Sequence, residues 1–322
     1  SIPVVLARSH PREDRFPEFT IAVDPDTGGK ITSTCDPKKL STYFEDRGTP
    51  HYLTQVYFRR EVLNRYTSEP SRYHVTSEQL SCLGLWLLPL GRNPEGLIET
   101  RLGDLGSKLP SEERDHWLGF NVPPRGGRDE TRHRRDILGQ WVDGPPDPVS
   151  RLLEGRRRFS TSLSRLADRP VYRDWDPADR IAFEGLHLPT SSEQGAADAL
   201  ILTLTKGVID YLDVKAIRSL PGSDPKAPTI NALDAWVKVT GGDPDVLTAP
   251  LRILQGLRSA GAAHSRTRDW KATLTRAGLD SLTPDEQFAR LLTATADVLE
   301  ALAQHADGQP ERSVSETGPG SA

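Results

Sequence analysis

An arginine and a histidine near the end of one predicted helix are the residues best suited to chemistry. Arg258 and His264 stand six positions apart in the run RSAGAAH, with five residues between them. On a regular helix they lie about 120° apart around the axis and roughly 9 Å apart along it, so both side chains can line one groove. An imidazole exchanges protons near physiological pH, and a guanidinium binds phosphate oxygens. The pair therefore suits acid–base chemistry beside a phosphate.

The helix that carries this pair is predicted over about 243–265, with Pro250 either starting or kinking it. Arg258 is expected to project within the apolar side of the helix. Because an isolated buried charge is very costly, this position demands a partner, and Asp210 and Asp198 are candidate acids. The apolar side consists of Leu247, Leu251, Leu254, Leu257 and Gly261.

Four predicted helices close a bundle in the C-terminal part of the chain, over 192–219, 229–239, 243–265 and 284–305. The first and the last each carry an apolar stripe with helical spacing. In the first helix the stripe is Ala197, Leu200, Ile201, Leu204, Val208, Tyr211 and Leu212. In the last helix it is Phe288, Leu291, Leu292, Val298, Leu299 and Leu302. The pattern predicts an antiparallel, all-α bundle.

An arginine, a few variable residues and a histidine near the end of the third helix of a bundle resemble the HEPN superfamily. Its ribonuclease members carry an R-x4-6-H motif, which Arg258 and His264 match. The resemblance covers about 190–306. It implies metal-independent RNA cleavage at a dimer interface, in an effector of bacterial defence or a toxin-type system. His264 would act on the ribose 2′-hydroxyl or the leaving oxygen, and Arg258 would hold the scissile phosphate.

Three interpretations of the pair remain open at this point. The first is a catalytic ribonuclease, and the second is a bundle of the same type without activity. In the third, Arg258 is a structural residue that forms an ion pair with an acid. A function of another class is also an alternative: a non-catalytic module whose β region binds a ligand or partner while the bundle dimerises.

The N-terminal part is predicted to be β-rich, so the fold class is α+β with short helices decorating an antiparallel sheet. FTIAV and KITSTC flank DPDTGG, which predicts a hairpin. A helix is predicted over 57–66, and the segments YHVTSEQLSCLGLWLLPL and GLIETRLGDLG are predicted as strands of one curled sheet. Further helices are expected at SEERDHWLGF, at TRHRRDILGQW and over about 149–166.

Two basic segments are candidates for contact with a nucleic-acid backbone. Interspersed acids (Asp129, Glu130 and Asp136) also allow a solvated face or an internal network of ion pairs. The candidate nucleic-acid-binding residues are Arg125, Arg128, Arg132, Arg134, Arg135, Arg156, Arg157 and Arg158.

Composition limits the remaining classes of function. The net charge of −4 and the pI near 6.1 argue against general coating of nucleic acid. Cys35 and Cys82 are the two cysteines, too few for a disulfide framework and without zinc-site spacing, so a cytoplasmic protein is expected. No membrane span, cofactor or metal site is predicted, since the chain has no run of eighteen or more apolar residues and no nucleotide-binding motif.

The expected organisation has four parts: a β-rich region over 1–110, a helical connector with the basic segments over 111–190, the bundle over 191–306, and a disordered tail over 307–322. The chain contains no methionine, from which we expect an upstream part of a longer protein. The expected partners are a second copy of the chain and RNA.

Overall fold

A computed structural model describes residues 14–127, 147–261 and 268–310. The fold is mixed α+β, with antiparallel sheets in the N-terminal part and helices in the C-terminal part. The chain divides into two compact units, residues 1–144 and 145–322. The division thus falls before the long helix that begins at Pro148.

The first unit contains short strands and helices. Its strands are β1 Glu18–Val23, β2 Lys30–Thr34, β3 Gln55–Phe58, β4 Tyr73–Val75, β5 Gln79–Cys82, β6 Trp86–Pro89, β7 Gly91–Arg92, β8 Ile98–Arg101 and β9 Asn121–Val122. Its helices are a 3-10 turn at Arg60–Leu63, α1 Asn64–Thr67, α2 Leu102–Lys108 and α3 Ser111–Leu118. The predicted hairpin is confirmed as β1 and β2, and the helix predicted at SEERDHWLGF is confirmed as α3.

Within residues 14–127, the strands of the first unit form three small antiparallel sheets, so the prediction of one curled sheet is wrong. Their orders are β1-β2, β7-β8-β3-β9 and β4-β5-β6. The helix predicted over 57–66 is wrong at its start, because Tyr57 and Phe58 belong to β3, which pairs on both edges with β8 and β9. Tertiary pairing overrides the local helical spacing here. From Arg60 the segment is the 3-10 turn followed by α1.

The segment RLGDLG forms a helix, α2, instead of the predicted strand continuation. Its two glycines, Gly103 and Gly106, allow Tyr52 and Cys35 to approach the backbone of the helix closely. A Cβ atom on Gly106 would lie 1.8 Å from the carbonyl oxygen of Cys35, and one on Gly103 would lie 2.2 Å from the ring of Tyr52. These glycines therefore serve packing.

The second unit is helical. Its helices are α4 Pro148–Ala167, α5 Pro177–Glu184, α6 Gln194–Thr205, α7 Val214–Arg218, α8 Thr229–Val239, α9 Pro244–Leu247, α10 Ala249–Gly261, α11 Arg268–Arg276 and α12 Pro284–Asp307. The first of these and the last pack along each other. Arg151 contacts Asp297, and Arg158 contacts Asp307, so the two helices run in the same direction.

The predicted stripe of the last helix lies in the core of the second unit, and that of the first helix lies in or against the core except at Tyr211. The helix predicted over 192–219 is interrupted, however. After α6 the chain forms a π turn at Lys206–Asp210, and Leu212 then pairs with Tyr172 in an isolated bridge. The helix predicted over 243–265 is likewise divided at Thr248, and Pro250 lies in the first turn of α10 as expected.

Candidate anion-binding site at a π turn

The π turn at Lys206–Asp210 places one extra residue in a helical turn. Its signature is a main-chain hydrogen bond from the N–H of Tyr211 to the carbonyl of Lys206, at 3.3 Å. Such turns are rare and occur frequently at functional sites, because they disturb the regular pairing of main-chain groups. The side chains that form hydrogen bonds with the main-chain groups of this turn surround the candidate site.

Three side chains donate hydrogen bonds to carbonyl oxygens of the π turn. Arg156 Nε donates to the carbonyl of Gly207 at 2.8 Å, and the hydroxyl of Tyr172 donates to that of Val208 at 3.0 Å. Arg173 Nη2 donates to the carbonyl of Asp210. The turn is therefore held from α4 and from the loop that follows it.

Arg156 lies partly buried among aromatic rings. Its guanidinium carbon is 3.7 Å from the ring centre of Tyr172, 4.4 Å from that of Trp175 and 5.6 Å from that of Phe183. Burial lowers the pKa of this guanidinium. Although it was a candidate for nucleic-acid contact, Arg156 points into its own unit and supports the π turn.

At the end of the π turn, Asp210 accepts a hydrogen bond from Nη1 of Arg258 on α10. The side chain of Asp210 is 18% exposed and that of Arg258 is 44% exposed. Burial raises the pKa of Asp210, and the charges of Arg258 and Lys206 oppose that shift. The expectation that Arg258 lies within the buried stripe is wrong, because it flanks the buried leucines at the edge of the stripe. Of the two acids expected as partners of Arg258, Asp210 is the one that pairs with it.

A second set of contacts fixes the other side of the turn. Asp179 on α5 forms an ion pair with Lys206 at 2.6 Å and accepts a hydrogen bond from the hydroxyl of Tyr211 at 2.7 Å. The hydrogen bond from Lys206 is the largest cause that lowers the pKa of Asp179. Both ends of the π turn are thus anchored by charged partners.

Asp210 also lines an open cleft with a volume of about 550 Å³. Arg169, Arg173 and Lys215 line the same cleft, and all three are exposed. A second acid in the lining, Asp213, caps α7 by accepting a hydrogen bond from a main-chain N–H at 2.9 Å. Since Asp210 is paired with Arg258, the cleft has an excess of positive charge that suits an anionic ligand.

The helix that carries Arg258 contributes directly to this cleft. Gln255, one helical turn before Arg258, is among the lining residues. Arg258 therefore lies beside the cleft and is joined to it through Asp210. The predicted catalytic partner His264 falls outside the described residues.

Among the other predicted nucleic-acid-binding residues of the second unit, Arg157 and Arg158 do not line this cleft. Arg125 in the first unit lies 3.5 Å from a carboxylate oxygen of Glu95. Arg157 pairs with Glu154 at 2.5 Å, and Arg158 lies within 4 Å of Glu300 and Asp307, on the exposed side of α4. The remaining candidates, Arg128, Arg132, Arg134 and Arg135, fall outside the described residues.

The cations of the cleft were not singled out from the sequence. Arg169 and Arg173 lie in the loop between α4 and α5, and Lys215 lies on a helix of five residues. Residues in such short connections have no periodic spacing that would mark them. Only the folding of the chain brings them together.

Comparison of the chain with protein families, with curated proteins and with solved structures gave no match. Within residues 14–127, 147–261 and 268–310, no three His, Cys, Asp or Glu side chains are grouped so that they would hold a metal ion. None of the helices in that part of the chain has the length and apolar character needed to cross a membrane.

Proposed function

We propose that the second unit binds RNA at the cleft beside the π turn and cleaves it without a metal ion, as a HEPN-like endoribonuclease. The observation that supports this proposal is the position of Arg258. Its half-exposed guanidinium is held by Asp210 beside a cleft that presents Arg169, Arg173 and Lys215. A groove of exposed cations suits the repeated phosphates of a single strand.

In the proposed reaction, the ribose 2′-oxygen attacks the adjacent phosphorus, and the bond to the 5′-oxygen breaks. The products are a 2′,3′-cyclic phosphate and a free 5′-hydroxyl. His264 accepts the 2′-hydroxyl proton, water donates a proton to the leaving 5′-oxygen, and the protonated imidazole returns its proton to the resulting hydroxide. Arg258 donates hydrogen bonds to the phosphate oxygens, where negative charge develops. Asp210 is a positioning residue, because its hydrogen bond orients the guanidinium.

The proposal includes a second copy of the chain, a cytoplasmic location and a role in defence or toxin-type systems. These parts rest on the resemblance of the Arg258 and His264 spacing to the superfamily motif. The dimer is tested by light scattering coupled to gel filtration, which gives a molar mass independent of shape.

A second candidate function is a non-catalytic module that binds an anionic ligand or partner. The ion pair between Arg258 and Asp210 favours it, because both residues belong to one unit and the acid offsets the charge of the arginine. In this function the cations of the cleft still bind phosphates, but no bond is broken.

The experiment is RNA cleavage by the purified full chain in EDTA. His264→Ala and Arg258→Ala are compared with Arg252→Ala, a matched control. Arg252 is an exposed arginine on the same helix and forms an ion pair with Asp234, an acid of another helix. We expect cleavage by the wild type and by Arg252→Ala, and loss of cleavage in the other two variants.

The other outcomes distinguish the ribonuclease from the non-catalytic module. RNA that is bound by the wild type but left intact supports the non-catalytic module. Equal cleavage by all four proteins excludes Arg258 and His264 as the active residues. Circular dichroism of every variant establishes that lost cleavage is not lost folding.

A further inference from the structure

A second hollow in the helical unit has a different character from the anion-binding cleft. It lies between the start of α10, the segment that follows α11, and the middle of α12. Its volume is about 360 Å³, at the lower end of the roughly 300 to 1,000 Å³ that small-molecule pockets occupy. Its lining is mainly apolar and includes Pro250, Ile253, Leu279, Leu282, Leu291 and Ala294.

The wall of this hollow is fixed by one buried amide. Gln287 is 5% exposed, and its Nε2 atom donates hydrogen bonds to the carbonyl oxygens of Leu279 and Leu282, at 3.1 and 3.0 Å. These two bonds hold the segment after α11 against α12. The hollow is therefore formed before any ligand arrives, which reduces the entropic cost of binding.

The rim of the hollow carries one unneutralised charge. Two ionisable residues line it, Arg290 and Asp297. Asp297 is paired with Arg151 at 2.5 Å. Arg290 is exposed and has no acidic partner within the described residues. The hollow thus combines an apolar floor with a single available guanidinium at its edge.

We propose that this hollow binds a small amphipathic monoanion, such as a medium-chain carboxylate. The hydrocarbon chain lies on Ile253, Leu282 and Leu291, where removal from water stabilises the complex. The carboxylate lies at the rim, where Arg290 offers two parallel N–H donors that match its geometry. The site is separate from the RNA proposal, since none of its lining residues lines the cleft beside the π turn.

The test is calorimetric titration of the full chain with decanoate, below the concentration at which it forms micelles. Hexanoate and the neutral decanol are titrated in parallel. We expect one decanoate per chain, weaker binding of hexanoate by about fourfold for each methylene removed, and weak binding of decanol. Tight binding of decanol equal to that of decanoate would overturn the role of the charge.

Two variants locate the site. Arg290→Gln removes the charge at an exposed position, and we expect decanoate affinity to fall about tenfold while decanol affinity is unchanged. Ala294→Phe fills the hollow, and we expect binding of both ligands to be lost. Arg276→Gln, at an exposed arginine of α11, is the matched control and keeps wild-type affinity.

The proposal is overturned if decanoate does not bind the wild type, or if Arg290→Gln binds it as tightly as the wild type does. It is also overturned if the apparent affinity depends on protein concentration and the molar mass doubles, because the hollow then accommodates a second copy of the chain. The Arg290 variant keeps the test decisive even where Ala294→Phe fails to fold.

Discussion

The Nε atom of Arg156 donates a hydrogen bond to the main-chain carbonyl of Gly207, 51 residues later in the chain, at 2.8 Å. The same guanidinium stacks on Tyr172 and Trp175. One side chain therefore joins α4, the aromatic residues after it and the π turn. Since Asp210 ends that turn, the position of Arg258 depends on Arg156, although the two arginines are not in direct contact.

Replacement of Arg156 is expected to destabilise the second unit. Arg156→Gln removes a charge-assisted hydrogen bond and the stacking on three rings, and we expect the free energy of unfolding to fall by about 3 kcal/mol. Urea unfolding followed by circular dichroism measures the change. Arg157→Gln is the neighbouring control. Because both members of its pair with Glu154 are exposed, its replacement should change the free energy of unfolding much less. Equal effects of the two substitutions would contradict the supporting role of Arg156.

The two glycines Gly106 and Gly195 are expected to respond oppositely to alanine. A Cβ atom on Gly106 would overlap the main-chain oxygen of Cys35, which cannot move as a flexible side chain does. We expect Gly106→Ala to lower the free energy of unfolding by about 3 kcal/mol. A Cβ atom on Gly195 meets nothing within 4 Å, so helix propensity should raise it by about 0.5 kcal/mol. Thermal unfolding of both variants tests the pair, and a stable Gly106→Ala protein would contradict the close approach.

The stability of the second unit is expected to fall in mild acid because of His305. Burial lowers the pKa of this imidazole below its ordinary value of about 6.5, and its Nε2 atom lies 2.7 Å from the hydroxyl of Thr240. The unfolded chain then binds the proton more tightly than the folded chain does. Stability contributed by neutral His305 is complete above about pH 6.5 and is lost as the pH falls through the folded pKa.

The measurement for His305 is urea unfolding at pH 7.5 and pH 5. His305→Gln should reduce the difference in stability between the two pH values. The same substitution at the exposed His74, in the first unit, is the control. An unchanged pH dependence in the His305 variant would assign the effect to other groups.

Binding of RNA at the cleft is expected to weaken as the salt concentration rises. The slope of log affinity against log salt reports how many cations of the cleft contact phosphates. Each phosphate contact contributes about 0.7 to the slope of log affinity against log salt for a single strand. Arg169→Gln and Lys215→Gln should therefore each reduce the slope by about 0.7. Fluorescence anisotropy with a labelled single-stranded RNA, between 50 and 200 mM salt, measures it. Lys30→Gln, at an exposed lysine of the first unit, should leave the slope unchanged; an equal change there would indicate non-specific attraction.

The apolar pattern predicts the helical core of the second unit well. The stripe of α12 is long and uninterrupted, and its residues from Phe288 to Leu302 are buried as expected. The capping box of Thr283 and Glu286 and the proline at the first helical position mark its start. Spacing of this kind is local information, which a single sequence contains.

The candidate site depends on information that is not local. The acid paired with Arg258 lies 48 residues away in the chain. From the sequence alone, Asp198 and Asp210 were equally good candidates for that acid. The cations of the cleft come from a loop and a short helix without periodic spacing. In the first unit, pairing of β3 with two distant strands overrides its helical spacing in the same way.

The π turn makes this surface sensitive to the number of residues within the turn. Deletion of one residue from 206–210 would restore a regular helix and rotate everything beyond it by about 100° relative to α6. The carboxylate of Asp210 would then face away from Arg258, even though every side chain of the site was still encoded. In a related chain, therefore, a one-residue gap at this turn would mark loss of the site more reliably than would substitution of any single residue around it.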